Sequence, residues 1–458
     1  MTFKKAEFGN ATKDTLPLFV DLYELTMAQC HLESDHNVVG TFDLSFRELP
    51  ANRGYIVAAG LEQIIAYIES IHFNENSIEF LEEIGFGENL CTYLSNFKFT
   101  GDIRAVPEGT IVFQNEPIIE ITAPIVEAQI LETIMINQVG FQSLVATKAA
   151  RIYDVINRNG NGQSLIEFGA RRAHGVDAGM KAARASYVGG FDGTSNVSAG
   201  YVYGIPVIGT MAHSWIQSHE TEEDAFESFV EVYGKESILL IDTYDTIESA
   251  KKVKKIVRGG EVVIKGVRLD SGDLVSLSKE VKSIIEDIDI YVTSGLDEYA
   301  VEHFLKNGGI ASGFGIGGNL VTSCDTPVAE IVYKLVEIEQ EGNNKPSMKL
   351  SEGKMTYPGK KCIKRIIEDG QFKYDILALE MEEMEGEDQM VEVYRDGELE
   401  YDLPDLKTIR DRMINSMNSL NESHREIKNP ARYEVEISKK LLKLVEEFDD
   451  QMRASGDK

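Results

Sequence analysis

Between residues 238 and 318 the chain alternates short apolar runs with amphipathic stretches at a spacing of roughly 25 residues, the pattern of parallel strands joined by crossover helices. "SILLIDT" reads as a strand, and "TIESAKKVKKIVRGG" reads as a helix closed by Gly259 and Gly260. "EVVIKGVRLD" then leads into "LVSLSKEVKSIIED", "IDIYVTSG" into "LDEYAVEHFLKNGG", and "IASGFGIGG" follows. Strands are therefore expected to start near residues 238, 262, 288 and 310. Upstream, "SLIEFGARR", "SYVGGFDGTSN" and "YGIPVIGTMAH" read as earlier strands of the same sheet, which makes at least six. Arg171, Asn196, His213, Asp242, Asp270 and Ser294 all fall at C-terminal strand ends, where α/β barrels build their sites. The expected fold is an irregular α/β barrel, although an open doubly wound sheet would present its ligands in the same way.

On either side of this region the patterning changes. An early helix over "DLYELTMAQCHLE" and the turn-rich "FTGDIRAVPEGTIVFQNEPIIEITAPIVEAQ" predict an N-terminal α+β domain over residues 1–140, with antiparallel strands. The barrel is expected over 141–330, entered through a helix in "ILETIMINQVGFQSLVATKAARIYDVI". Residues 331–458 are expected to form a C-terminal extension that partly completes the flanking domain. It comprises a hairpin in "KMTYPGKKCIKRIIEDGQFKYDILALE", an acidic solvated loop at 380–388, and helices in "LPDLKTIRDRMINSMNSL" and "YEVEISKKLLKLVEEFDD".

Composition narrows the partners. Against 46 lysines and arginines stand 76 acidic residues, a formal charge of −30 that repels nucleic acid and anionic lipid. Any anionic substrate then requires a local basic pocket. The four cysteines, Cys30, Cys91, Cys324 and Cys362, have neither zinc-finger spacing nor a disulfide framework, as expected in a reducing cytoplasm. "MTFKKAEFGNATKDTL" lacks the apolar core of a signal peptide, and no apolar run reaches membrane-spanning length, so a cytoplasmic protein without membrane partners is expected.

Several short stretches carry potential chemistry. "IEFGARRAHG" brings Arg171, Arg172 and His174 together, with Lys148 and Arg151 shortly before, a candidate anion site. "GGFDGTSN" and "GFGIGGN" are glycine turns whose backbone N–H groups can approach a phosphate. In "GVRLDSGD", Arg268 and Asp270 share one strand face while Lys265 points the other way, and Asp270 with Asp273 offers oxygen ligands for Mg²⁺. Asp242 in "LLIDTYDT" is the better site candidate, with Asp245 read as a helix cap. Ser294 with Asp297, and Asp21 with Glu24, also have capping-box spacing. His213 in "GTMAHSW" is a titratable group beside the single tryptophan.

Taken in order, "DLYELTMAQ", "EFGARRAHG", "GGFDGTSNV", "GTMAHSW", "IDTYDT", "VRLDSGD", "TSGLD", "GFGIGGNL" and "YPGKKCIKR" resemble the nicotinate phosphoribosyltransferase family over residues 16 to 375. The resemblance implies a type II phosphoribosyltransferase fold and a homodimer with active sites at the interface. It also implies the reaction of nicotinate with phosphoribosyl pyrophosphate, coupled to ATP hydrolysis with Mg²⁺, to give nicotinate mononucleotide for NAD salvage. By the same resemblance His213 is the histidine that ATP phosphorylates, and Phe168 with Tyr23 of a partner subunit sandwiches the pyridine ring. Arg171 lies near ring and ribose, Arg268 and Asp270 bind pyrophosphate, ribose and metal, and Asp242 sits near the reacting ribose. Ser294, Gly295, Gly317 and Gly318 cradle the 5′-phosphate. Ser195 stands where nicotinamide-using relatives carry an aspartate. A carboxylate there would face that of nicotinate at a cost on the order of 4 kcal/mol at 4 Å and an effective dielectric of 20.

The cysteine-rich zinc element that some members carry near the C-terminus is missing here, and the last 80 residues are given no role. The alternatives are a quinolinate phosphoribosyltransferase, which is shorter and uses no ATP, or a nicotinamide phosphoribosyltransferase, and, more distantly, a Schiff-base lyase acting through Lys265 or a phosphosugar-binding protein without turnover.

Overall fold

The computed structural model describes residues 11–36, 38–258, 260, 262–349 and 356–455, and they form two compact units. The first is discontinuous, combining residues 1–144 with 328–458, and the second comprises 145–327. Residues beyond 328 thus belong to the first unit.

Antiparallel pairing builds the first unit. Strands Val39–Phe46, Pro117–Pro124 and Ile331–Gln340 lie at the heart of a seven-stranded sheet, which Asp102–Ala105 extends toward Val391–Arg395. A second, four-stranded sheet contains the expected hairpin, Lys361–Glu368 with Gln371–Leu379, and pairs it in parallel with Val435–Ile437. "YEVEI" is therefore a strand rather than the start of the last helix, which runs over Lys439–Ser455; its β-branched alternation suits a sheet edge. The acidic 380–388 stretch is partly tied down, because Glu380 pairs with Arg104 at 3.0 Å and Asp388 with Lys364 at 2.9 Å.

A six-stranded parallel sheet forms the second unit. Its strands are β1 (Ser164–Glu167), β2 (Gly193–Thr194), β3 (Ile238–Leu240), β4 (Gly266–Leu269), β5 (Asp289–Val292) and β6 (Gly313–Ile316). Their order is β2-β1-β6-β5-β4-β3, so the last strand in sequence inserts between the first and the fifth. Nearly every strand residue is buried, as expected where crossover helices cover a parallel sheet. The helices form where the sequence provides caps and apolar stripes. Asp245 accepts from Ile247 N and Glu248 N to open Thr246–Val257, which buries Ala250 and Val253. Gly260, at φ +77°, follows its end; Gly259 lies outside the described residues.

Two expectations are corrected here. β4 starts at Gly266 rather than 262, with Val263 exposed, because only Lys265 N and Gly266 N reach a partner, Ser237 O. "YGIPVIGT" is not a strand: it touches the sheet through one bridge, Thr194 with Val207. Pro206 supplies no N–H there, and Val207 is exposed. Among the described residues the pairing runs from Val207 across to β3 without closing into a ring.

Candidate active site

A cleft of about 840 Å³ opens over the C-terminal ends of these strands, within the size range of small-molecule sites. The loop after β1 supplies Phe168, Arg171 and Arg172. The Phe168 ring packs against Gly315 of β6, where an added Cβ would stand 2.6 Å from two of its ring carbons, so only glycine leaves the ring its place. The arginines occupy a short 3₁₀ turn, Ala170–Arg172, and are exposed. Neither makes an ion pair with any of the described carboxylates, unusual in so acidic a chain.

Glu167, at the end of β1, fastens this loop to its neighbour. It is fully buried, accepts from Gly169 N, and accepts from Thr194 Oγ1 at 2.5 Å. Burial pushes its pKa up, and the Thr194 and Gly169 hydrogen bonds partly offset that. Ser195 N donates to Glu167 O at 2.9 Å, which sets Ser195 on the cleft wall beside Phe168.

His213 is the first residue of a short helix, His213–Gln217, with its side chain partly exposed to the cleft. Its Nε2 lies 3.3 Å from Asp242 Oδ1. Asp242 is buried and does not line the cleft. Its other oxygen accepts from Asp270 N at 3.2 Å and from Ser271 Oγ at 2.5 Å. The Asp242 carboxylate thus stands between the imidazole and the β4 turn. The tryptophan beside His213 is structural, as Trp215 Nε1 donates to Ala225 O at 3.0 Å.

Arg268 and Asp270 do share the cleft face, as the strand alternation predicts. Arg268 donates through Nη1 to Thr210 Oγ1, while its buried Nε finds no hydrogen-bond acceptor among the described residues. Burial lowers its pKa, Asp270 and Asp242 oppose that, and Arg171 adds to the depression. This guanidinium is short of acceptors, the condition that an anionic ligand relieves. Asp270 accepts from Thr293 Oγ1.

The remaining wall consists of two turns. Ser294 and Gly295 both have positive φ, +93° and +61°, and their N–H groups meet no acceptor among the described residues. Opposite them, Gly317 and Gly318 line the cleft, and Arg172 runs over Gly318, its Cβ 3.6 Å from where a Gly318 Cβ would stand. Asn319 Nδ2 donates to Gly295 O at 2.8 Å and joins the turns.

The cleft thus gathers Phe168, Arg171, Ser195, His213, Arg268, Asp270, Ser294, Gly295, Gly317 and Gly318, and leaves others out. Asp273 caps the Leu274–Ile284 helix, accepting from Ser276 N and Ser276 Oγ, apart from the cleft lining. His174 is exposed and also off the lining, and Lys265 is paired outward with Glu236 at 3.9 Å. Lys148 and Arg151 belong to a buried ion-pair network and not to the anion site. Asp297, not Ser294, caps the next helix, accepting from Ala300 N at 2.8 Å. Asp21 makes no side-chain cap, and Glu24 bonds Thr133 instead. Tyr23 lies in the first unit, half exposed on Leu22–Glu33. Sequence reasoning missed Glu167, Thr210, Thr293 and Asn319. All four stand at or just beyond strand-like segments, where a polar group following an apolar run was the available signal.

Among the described residues no group of three or more histidine, cysteine or carboxylate side chains forms a metal site, and no helix is long and apolar enough to cross a membrane.

Family models match most of the chain. The nicotinate phosphoribosyltransferase (NAPRTase) N-terminal domain matches residues 18–140, the nicotinate phosphoribosyltransferase (NAPRTase) family residues 163–398, and the nicotinate phosphoribosyltransferase C-terminal domain residues 379–445. The chain is 38% identical to nicotinate phosphoribosyltransferase pncB2 of Mycobacterium tuberculosis, covering 93% of this chain and 92% of that protein. It is 36% identical to nicotinate phosphoribosyltransferase of Bacillus subtilis, with 93% of each covered. The crystal structure of human nicotinic acid phosphoribosyltransferase superposes with a TM-score of 0.82 at 26% identity, over 94% of this chain and 99% of that one.

Proposed function

Because the chain belongs to the nicotinate phosphoribosyltransferase family, we propose that the cleft over the parallel sheet is where it joins nicotinate to phosphoribosyl pyrophosphate. The chain is a phosphoribosyl-transferring enzyme of the ATP-coupled kind, and its role is NAD salvage. The observation that carries the assignment to this cleft is its set of three arginines, Arg171, Arg172 and Arg268, that make no ion pair with any described carboxylate, in a chain of net charge −30.

In this reading the nicotinate ring stacks on Phe168, whose far side is closed by Gly315. Ser195 donates to its carboxylate. The Ser294–Gly295 and Gly317–Gly318 turns hold the 5′-phosphate, with Arg172 above Gly318. Arg268 and Arg171 take the pyrophosphate. The ring nitrogen attacks the anomeric carbon as its bond to pyrophosphate oxygen breaks. Positive charge gathers on the ribose, which Asp270 faces, and negative charge on the leaving group, which the arginines hold.

Asp270 fits a Mg²⁺ that arrives with substrate phosphates, since such ions need one or two protein carboxylates, and Mg²⁺ would neutralise pyrophosphate charge there. Asp273 would join only by giving up its helix cap. ATP is the co-substrate that phosphorylates His213. Asp242 faces Nε2, holds the tautomer and leaves the Nδ1 lone pair as nucleophile. Nδ1 takes the γ-phosphoryl group, ADP departs, and water later releases phosphate.

A homodimer completes the site with Tyr23 of a partner subunit. The exposed apolar side chains Val197, Tyr201, Val202 and Val207, close in sequence to Ser195, offer a surface for the second copy. The four free cysteines fit a protein of the reducing cytoplasm.

The test supplies phosphoribosyl pyrophosphate with nicotinate, nicotinamide or quinolinate, with and without ATP. Nicotinate mononucleotide should form, faster with ATP, and His213→Ala should remove the ATP effect. Ser195→Asp should shift preference toward nicotinamide. Turnover of quinolinate instead, or no turnover at all, would refute the reading.

A further inference from the structure

Both glycine turns of the cleft are tied to one buried cation that the reaction itself does not call for. Lys148, on the Glu132–Asn159 helix, is fully buried, and its Nζ lies 2.7 Å from Glu298 Oε2 and 2.7 Å from Asp325 Oδ1. Glu298 is the first residue of the Glu298–Lys306 helix, two positions beyond Leu296, and its Oε1 receives Arg151 Nε at 3.0 Å. Asp325 ends the turn that begins at Gly317, a turn closed by Ser323 N to Leu320 O at 3.0 Å and Cys324 N to Asn319 O at 3.2 Å. On the cleft wall, Asn319 Nδ2 reaches Gly295 O at 2.8 Å. The contacts close a circuit: Lys148 to Glu298, along the chain to Gly295, across to Asn319, along the second turn to Asp325, and back to Lys148.

We propose that Lys148 is a positioning residue that sets the spacing of the Ser294–Leu296 and Gly317–Asn319 turns and thereby the affinity for the 5′-phosphate. The proposal rests on the functional reading of the cleft given above. Two physical points support it. A buried ionic cluster is a poor source of stability, because apolar packing of the same volume serves as well or better; its advantage is a geometry with little tolerance. And a phosphate held by backbone N–H groups from two separate turns depends on their mutual distance, since hydrogen bonds weaken steeply away from ideal geometry.

Removing Lys148 takes the cation from between two carboxylates, one of them fully buried, and strains the fold, so the decisive variant is Asp325→Asn, at a partly exposed position. It takes the charge out of the link between the second turn and Lys148, leaving at most a neutral amide acceptor, and keeps the Lys148, Glu298 and Arg151 contacts in place. The measurement is competitive inhibition by ribose 5-phosphate, which carries only the 5′-phosphate, against inhibition by inorganic pyrophosphate, together with KM for nicotinate. Asp325→Asn should weaken ribose 5-phosphate roughly tenfold, the scale of one charged hydrogen bond, and leave pyrophosphate and nicotinate unchanged. Asp325→Glu, which keeps the charge, should recover most of the loss. Equal weakening of both inhibitors, or a lower melting temperature with no change in either, overturns the proposal. A wild-type protein that ribose 5-phosphate fails to inhibit overturns the functional reading and this proposal with it, so the two failures are distinguishable.

Discussion

Buried cations in the antiparallel unit and cations of the cleft face opposite situations. In the antiparallel unit Lys361 meets Asp43 at 2.8 Å and the carbonyl of Tyr357 at 2.9 Å. Arg365 meets Asp375 at 2.6 Å and the carbonyl of Ile111 at 3.0 Å, and the partly buried Arg104 holds the buried Glu120 at 3.1 Å. In the cleft, Arg171 and Arg172 have no carboxylate ion pair among the described residues, and the Nε of Arg268 is buried without an acceptor. With 76 acidic residues available, a cation left without a carboxylate marks a place kept for a ligand, whereas a satisfied one marks architecture.

The sharpest way to break that contrast is to truncate one arginine of each kind. Arg365→Ala strands Asp375 in the core and should lower stability by about 3–5 kcal/mol in urea unfolding. Arg268→Ala should leave the melting temperature nearly unchanged and reduce kcat/KM by about 10²–10³, the scale of losing one preorganised donor. If Arg268→Ala unfolded the protein while Arg365→Ala were harmless to stability, the contrast would be wrong.

A carboxyl without a cation sharpens the comparison from the other side. Glu24 in the antiparallel unit is buried, bonds Thr133 through Oε1, and leaves Oε2 without a hydrogen-bond partner among the described residues. Burial, aided by Glu132 and Asp21 and opposed by the Thr133 hydrogen bonds, pushes its pKa from 4.5 up to about 7. The folded state then holds the proton more tightly than the unfolded one. Its stabilising contribution is full below pH 4.5 and is lost as pH rises through 7, up to about 3 kcal/mol in all. Chemical denaturation between pH 5 and 8 should show this fall, and Glu24→Gln should flatten it. The smallest effect belongs to a carboxylate that only caps: Asp245→Ala should cost about 1 kcal/mol and leave turnover intact.

The strand and helix rhythm from residue 238 was legible because each unit is local: an apolar run, a cap such as Asp245 or Asp297, and an amphipathic stripe. Residues 205–212 misled because an apolar run containing Pro206 and Gly209 has a strand's composition without its hydrogen-bonding capacity. Within the site, cleft-lining groups could be read from their position after strands. What Asp242, Lys148 and Glu167 do could not, because each acts through a partner between 27 and 177 residues away, and no spacing rule reports that. Asp242 and Asp270 look alike in sequence, both acidic and just past a strand; only three-dimensional contact turns one toward the imidazole and leaves the other in the cleft.

The insertion of β6 between β1 and β5 has a consequence for the order of events during translation. Until that strand emerges, β1 has only the two-residue β2 to pair with, and the loop bearing Phe168 has no glycine surface to rest on. At ordinary elongation speeds the intervening stretch takes roughly 7–30 s to be made. A nascent chain arrested on the ribosome before residue 313 should be unable to retain nucleotide, however much of its helical scaffold has already formed.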